Sequence, residues 1–297
     1  GSDAMMPFYR KAMEGLDDLS VPYRTIALDR DTVLKQIEDD DWFHILNHSR
    51  LRHPRALMAG VAYIYPFWNL DPDGIRAFSS LGQQKFKARQ IDGDKARDFL
   101  ATMRRRWVQK RQSRYEQPET RDTDLPENAI AVFFQSEAHR SVNETCYMDR
   151  WQMLEACLSD GTKPVVVKPH PRDLDQGMFD RLLELQSRYP HLHISMANIH
   201  DILAAASRVV TINSAVGIEA YLHRKPVILC GKADFHHIAD IATSPQKLRS
   251  LLQSEPPGRV YAKYLYWYFS LNCINAGKQT VARQILRKIR ATGYSFD

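Results

Sequence analysis

The stretch "VVVKPHPRD" (residues 165–173) runs from three consecutive valines straight into a lysine and a histidine that each stand before a proline. Val165, Val166 and Val167 are β-branched with no polar residue among them. That is the mark of a strand buried on both faces, as in a parallel sheet. Pro169 and Pro171 fix their own φ and hold Lys168 and His170 in extended geometry, so the His170 imidazole is presented stiffly where the strand ends. A histidine near its neutral point can donate to a phosphate oxygen or protonate a leaving group. The alternative is a histidine that merely caps a turn.

Outward from this stretch the pattern repeats. Apolar runs at 129–134 (AIAVFF), 164–168, 191–195, 208–213 and 225–230 alternate with amphipathic segments at 147–158, 178–189, 199–206, 215–222 and 245–253. Continuous apolar strands separated by helices predict an α/β fold with a Rossmann-like, doubly wound parallel sheet of about five strands. Residues 112–128 are almost wholly polar with two prolines and read as a linker. The expected organisation is an N-terminal acceptor-side lobe over 5–125, a nucleotide-binding lobe over 126–257, and terminal helices over 258–297 that pack across the lobes. In the N-terminal part, 23–28 and 42–47 read as strands, 30–40 as a helix, and 92–115 as a long basic helix.

The chain has 297 residues, 44% of them apolar, and a formal charge of +6 from 41 basic and 35 acidic side chains, so it has ample material for a core and only a mild cationic excess. A phosphorylated small molecule or an anionic membrane surface suits that balance, and no nucleic-acid partner is expected. Cys146, Cys157, Cys230 and Cys273 lie far apart with no Cys-x-x-Cys pair, which fits reduced thiols in the cytoplasm. No apolar run reaches the roughly 20 residues of a membrane span. The expected location is cytoplasmic, with peripheral contact at the inner membrane as an addition suggested by the crowd of Tyr264, Tyr266, Trp267, Tyr268 and Phe269.

In an open parallel sheet, ligands bind beyond the carboxyl ends of the strands, next to helix N-termini. Three such ends carry polar residues: "FFQSEAHRS" (133–141) with Gln135, Ser136 and Glu137; "KPHPRD" (168–173); and "TINSAVGIEA" (211–220) with Asn213, Ser214, Gly217 and Glu219. Ser214 reads as an N-cap, and Gly217 leaves room for close approach of a ligand. His236, His237 and Asp240 have spacing that suits either a metal or, preferably, a loop lining the cleft. The basic stretches 103–115 and 48–55, the latter with Arg50, Arg52 and Arg55, suit guidance of an anionic acceptor.

The "KPHP" strand end followed by "NSAVGIEAYLHRKPVILCG" (213–231), together with "FFQSEAHRS" and "LDPDGIRAFSSL" (70–81), resembles the capsule polysaccharide synthesis family that includes the KpsC and KpsS proteins. The resemblance covers about 71–231. It implies a two-lobe, GT-B-like arrangement and a glycosyltransferase that moves Kdo or a related 2-keto sugar acid from its CMP form onto a saccharide or lipid-linked acceptor, with no metal and no cofactor beyond the nucleotide-sugar donor. By that resemblance Lys168, His170 and Pro171 bind the nucleotide, Asn213, Ser214, Gly217 and Glu219 hold its phosphate and ribose, and Gln135 and Ser136 complete the donor site. Glu137 or Asp71 supplies the catalytic carboxylate, with His170 beside it. The family's acidic cluster is thinned here to Ser136-Glu137-Ala138-His139, which leaves two alternatives open: a CDP-polyol phosphotransferase-like enzyme, or a nucleotide-binding scaffold without turnover.

Overall fold

A computed structural model describes residues 6–136, 145–159, 161–171 and 176–296. In chain order the strands are β1 (His44–Asn47), β2 (Ala56–Val61), β3 (Phe67–Asp71), β4 (Ala129–Phe133), β5 (Val165–Lys168), β6 (Leu192–Ile194), β7 (Ala206–Thr211), β8 (Val227–Leu229), β9 (Asp240–Ile241) and β10 (Ile274–Asn275). The α-helices are α1 (Pro7–Asp18), α2 (Val33–Glu38), α3 (Gly93–Met103), α4 (Arg150–Leu158), α5 (Gln176–Arg188), α6 (Ile199–Ala205), α7 (Ala215–Leu222), α8 (Pro245–Gln253), α9 (Tyr261–Leu265) and α10 (Val281–Arg290). The chain forms two compact units, residues 1–85 with 267–297 and residues 86–266. The polar stretch 112–128 lies inside the second unit, whereas the expected boundary near 125 would have divided it. The reason is that 111–118 is tied by hydrogen bonds to the start of α6.

The second unit is built on a six-stranded sheet in the order β6-β5-β4-β7-β8-β9, every neighbouring pair parallel. The expectation of an α/β parallel sheet holds, with a sixth strand at β9 added. Chain direction across the sheet reverses between β4 and β7, the doubly wound order whose switch point opens a crevice at the strand ends. Each residue of β4 and β5 is buried, as uninterrupted apolar runs require when helices cover both faces. Met153, Leu154, Val165, Val167, Leu182 and Ile228 share one core cluster. The predicted helices 215–222 and 245–253 are found as α7 and α8, each capped by a serine: Ser214 Oγ accepts from Val216 N at 3.4 Å and Ser244 Oγ from Lys247 N at 3.2 Å.

The first unit has a four-stranded sheet, β1-β2-β3-β10, in which β1 and β2 run parallel and the remaining pairs antiparallel. α1 and α10 bury Phe8, Val281, Ile285 and Ile289 against one face, where Phe8 stacks on Trp68 with ring centroids 4.4 Å apart. Val33 and Ile37 of α2 pack with Leu46 and Met58 in a second cluster. Residues 23–28, expected as a strand, form none and are mostly exposed, so "YRTIAL" has no partner edge to complete its backbone hydrogen bonds. The basic helix expected over 92–115 is shorter: α3 passes into a π-helical turn at Arg104–Val108 and ends near 111. Of the aromatic crowd, Tyr264, Trp267, Tyr268 and Phe269 are buried and Tyr266 is half-buried, so four of the five rings serve the interior. All four cysteines are buried free thiols. Among the described residues no helix is long and apolar enough to cross a membrane.

Candidate functional site at the strand ends of the second unit

The switch point is held by a buried amide hub. Gln135, just past β4, accepts through Oε1 a hydrogen bond from the Asn213 backbone N–H at 3.1 Å, just past β7. The Asn213 side-chain amide in turn donates to the carbonyls of Lys232 at 3.0 Å and Thr145 at 3.4 Å. Thr211 Oγ1 donates to the Phe133 carbonyl at 3.0 Å and joins the last residues of the same two strands. Three loops, after β4, β7 and β8, are thereby fixed to one another. Gln135 is 4% exposed, and its Nε2 has no hydrogen-bond partner among the described residues. A buried amide N–H without an acceptor is costly in a folded chain and marks a place where a ligand oxygen would be welcome.

Around this hub the sequence-expected residues fall into distinct positions. Ser214 caps α7: its Oγ accepts from the Val216 N–H, and its carbonyl accepts from the Gly217 N–H at 3.0 Å, so what this helix start offers an anion is mainly the positive end of its dipole. His170 is half-buried at the end of β5, and the Tyr115 ring meets it edge to face at 5.1 Å. Pro171 is exposed and Ser136 half-buried. Glu137, with His139 and Arg140, lies outside the described residues. Lys168 is buried, and its ammonium donates to the carbonyls of Met196 at 3.0 Å and Ala197 at 2.7 Å; burial lowers its pKa to about 8. It braces the loop after β6. Gly217 has a packing role of its own, because a Cβ there would stand 3.0 Å from the Phe235 ring.

Glu219 on α7 is buried, and Ser113 Oγ donates to its Oε1 at 2.8 Å. Burial pushes its pKa up to about 7, against the opposing pull of the Ser113 hydrogen bond and the Arg114 charge. Near neutrality it therefore exists in both protonation states. A carboxylate so placed accepts hydroxyl donors when ionised and donates one hydrogen bond when protonated. Ser113, Arg114 and Tyr115 were expected on a basic helix that guides an acceptor and not at the donor site, because the polar stretch they enter carries no period that reveals where it docks.

Asp71 belongs to the first unit. Its carboxylate accepts from five donors, the backbone N–H groups of Asp73, Gly74 and Ser80 and the hydroxyls of Ser79 and Ser80, at 2.7 to 3.2 Å. A carboxylate offers about four lone-pair sites, so this one is fully engaged in folding 71–80 around itself. It borders a cavity of about 200 Å³ that Ser80, Gln84, Lys288 and Thr292 also line.

The remaining candidates have structural occupations. His236 Nδ1 bonds the Ala233 carbonyl at 2.8 Å, His237 Nδ1 lies 3.1 Å from the Tyr264 hydroxyl, and Asp240 pairs with Arg259 at 2.6 Å. Among the described residues no group of three or more acidic, histidine or cysteine side chains is arranged to hold a metal. Of the arginines expected on an acceptor side, Arg52 forms a two-bond pair with Asp73, Arg55 donates to the carbonyls of Ile37 and Asp40, and Arg50 lies over the Phe78 ring at 3.9 Å.

A Rossmann-ordered parallel sheet with a polar crevice at its switch point defines a GT-B-like α/β fold. The family profile described as capsule polysaccharide biosynthesis protein matches residues 93–275, more than half of the chain, and the protein belongs to that family. Among solved structures, Thermosulfurimonas dismutans KpsC, β-Kdo 2,7 transferase, is 15% identical with a TM-score of 0.56 over 93% of this chain and 96% of that one, a likeness of fold. The β-Kdo 2,4 transferase of the same KpsC is 15% identical with a TM-score of 0.48 over 70% of each chain. The UDP-GlcNAc 2-epimerase of Methanocaldococcus jannaschii is 12% identical with a TM-score of 0.34, over 69% of this chain and 50% of that one. No curated protein matches by sequence.

Proposed function

We propose that the protein is a glycosyltransferase that moves a 2-keto sugar acid such as Kdo from its CMP form onto a saccharide or lipid-linked acceptor. The observation that carries this is the β4–β7 switch point, where the Gln135 amide has a donor with no partner among the described residues, Ser214 caps the N-terminus of α7, and Ser113 and Tyr115 touch Glu219 and His170. Family membership supports a role in capsule polysaccharide synthesis, and the fold shared with a Kdo transferase supports the donor class.

In this proposal the phosphate of CMP sits at the α7 N-terminus, where the helix dipole favours an anion, and His170 donates to a phosphate oxygen. Glu219 in its ionised form accepts from the ribose hydroxyls. Transfer breaks the bond between the anomeric carbon and the phosphate oxygen and forms one to the acceptor oxygen, whose proton passes to a carboxylate. CMP leaves carrying the negative charge that the α7 terminus and His170 stabilise. Glu137 and Asp71 are the candidates for that carboxylate, and Asp71 would first have to release some of its five donors.

Thermal-shift titration with CMP, CDP, UMP and UDP tests the donor class, since a ligand of the folded state raises its stability by RT ln(1 + [L]/Kd). Selective stabilisation by CMP that is lost in His170→Ala is the expected outcome. Preference for CDP would transfer the site to polyol phosphate chemistry, and no response to any of the four would discard it.

A further inference from the structure

Residues 111–118 form a closed loop on the second unit. One side chain joins both of its ends: Asn198 Nδ2 donates to the Arg111 carbonyl at 3.3 Å and to the Pro118 carbonyl at 3.1 Å. The first turn of α6 adds three more ties. The Ile199 N–H donates to Gln117 Oε1 at 3.1 Å, Asp201 pairs with Arg111 at 2.6 Å, and His200 Nε2 donates to the Gln112 carbonyl at 2.8 Å. Because a carbonyl only accepts, His200 carries its proton on Nε2, and its Nδ1 accepts from His223 Nε2 at 2.9 Å. That chain needs the His200 imidazole neutral, and burial lowers the pKa of both histidines. Both ends of the loop are thus tied to Asn198 and the first turn of α6.

Between these anchors the loop reaches two residues of the donor site from outside the sheet. Ser113 Oγ bonds Glu219, and Tyr115 sets the edge of one ring against the face of the other at His170, with interplanar angle 86°. The Arg114 guanidinium lies 5.7 Å from the Tyr115 ring centroid and its charge acts on Glu219. We propose that residues 111–118 are a positioning strap of the donor site, in which Ser113 sets the Glu219 carboxylate and Tyr115 sets the His170 imidazole for a ligand with vicinal hydroxyls and a phosphate. This rests on the donor-site reading given above. Sites held by supporting side chains keep the precision that binding needs, and supports placed far off in sequence serve as well as adjacent ones.

The test uses the full chain, CMP as probe, and two readouts. The first is the midpoint of the Glu219 carboxyl, followed by NMR in protein labelled at the glutamate side-chain carboxyl and assigned with Glu219→Gln. Ser113→Ala should raise this midpoint, because it removes a bond that favours the ionised form, and Ser113→Thr should restore it. The second is CMP affinity by calorimetry across pH. Ser113→Ala should weaken CMP about tenfold at neutral pH and displace the pH dependence upward, and Tyr115→Ala should weaken it where Tyr115→Phe does not. An unchanged Glu219 midpoint, with CMP bound normally by folded Ser113→Ala and Tyr115→Ala chains, overturns the strap. Failure of the unmodified chain to bind CMP overturns the nucleotide reading instead, and the Glu219 midpoint still decides whether Ser113 sets that carboxylate.

Discussion

Replacing Glu219 by glutamine makes the cost of an interior carboxylate measurable. In the folded protein this group titrates near 7, while its ordinary value is 4.5, and the larger cause is burial. Between those two values the native chain holds a proton that the unfolded chain has released. Its contribution to stability is therefore complete below pH 4.5 and is lost as pH rises through about 7. At about 1.4 kcal/mol for each pH unit, the span between the two values amounts to about 3 kcal/mol. Glutamine has nearly the same shape, keeps an oxygen for the Ser113 hydroxyl, and carries no charge at any pH. Urea unfolding of both proteins should give closely similar stabilities near about pH 4 and an advantage of about 3 kcal/mol for Glu219→Gln near about pH 8. Every other titrating group cancels in the difference between the two curves, provided that it lies clear of the site. A difference that stays flat across that range would refute the claim that burial keeps Glu219 partly protonated at neutrality.

Three further outcomes can be checked. His223, held down to about 3 from an ordinary 6.5 mainly by burial, contributes stability that is present above 6.5 and lost as pH falls towards 3, so acid titration by circular dichroism should show His223→Gln outlasting the unmodified chain, by about 2 kcal/mol near about pH 5. Gly217→Ala should cost about 1 to 3 kcal/mol in urea unfolding, because the new methyl group meets the Phe235 ring at 3.0 Å and forces it to move; an unchanged midpoint would mean that the ring yields freely. Asp71→Asn turns one acceptor into a donor that faces N–H and O–H groups, and should lower stability by about 2 kcal/mol or more together with any transferase activity; loss of turnover at unchanged stability would identify a chemical role for Asp71 instead.

The parts of this fold that were legible in the sequence are those whose burial leaves a period. The valines of β5 and the runs of β4 and β7 announce strands covered on both faces, and α7 and α8 could be bounded to the residue because a serine precedes each. β9 and β10 are two residues long, too short to carry any alternation. β2, "ALMAGV", is poor in strand formers and takes its conformation from pairing with β1 and β3. Candidate site residues at strand ends were recognisable by their place in a doubly wound sheet. The Ser113–Glu219 bond was not, since it joins residues 106 positions apart and depends on ties from Asn198 and His200 that no local pattern encodes.

The first unit draws its strands and helices from both termini of the described chain, residues 6–85 and 267–296, while the second unit is one uninterrupted span. On the ribosome, the second unit can therefore mature while the first still waits for its final pieces. β10, which completes the sheet edge beside β3, and α10, which covers Trp68 and Leu70, are translated only after the second unit. Until they emerge, an early-made aromatic and aliphatic surface stays open to solvent and to chaperones. Loss of α10 would thus injure residues 6–85 more than the unit translated just before it.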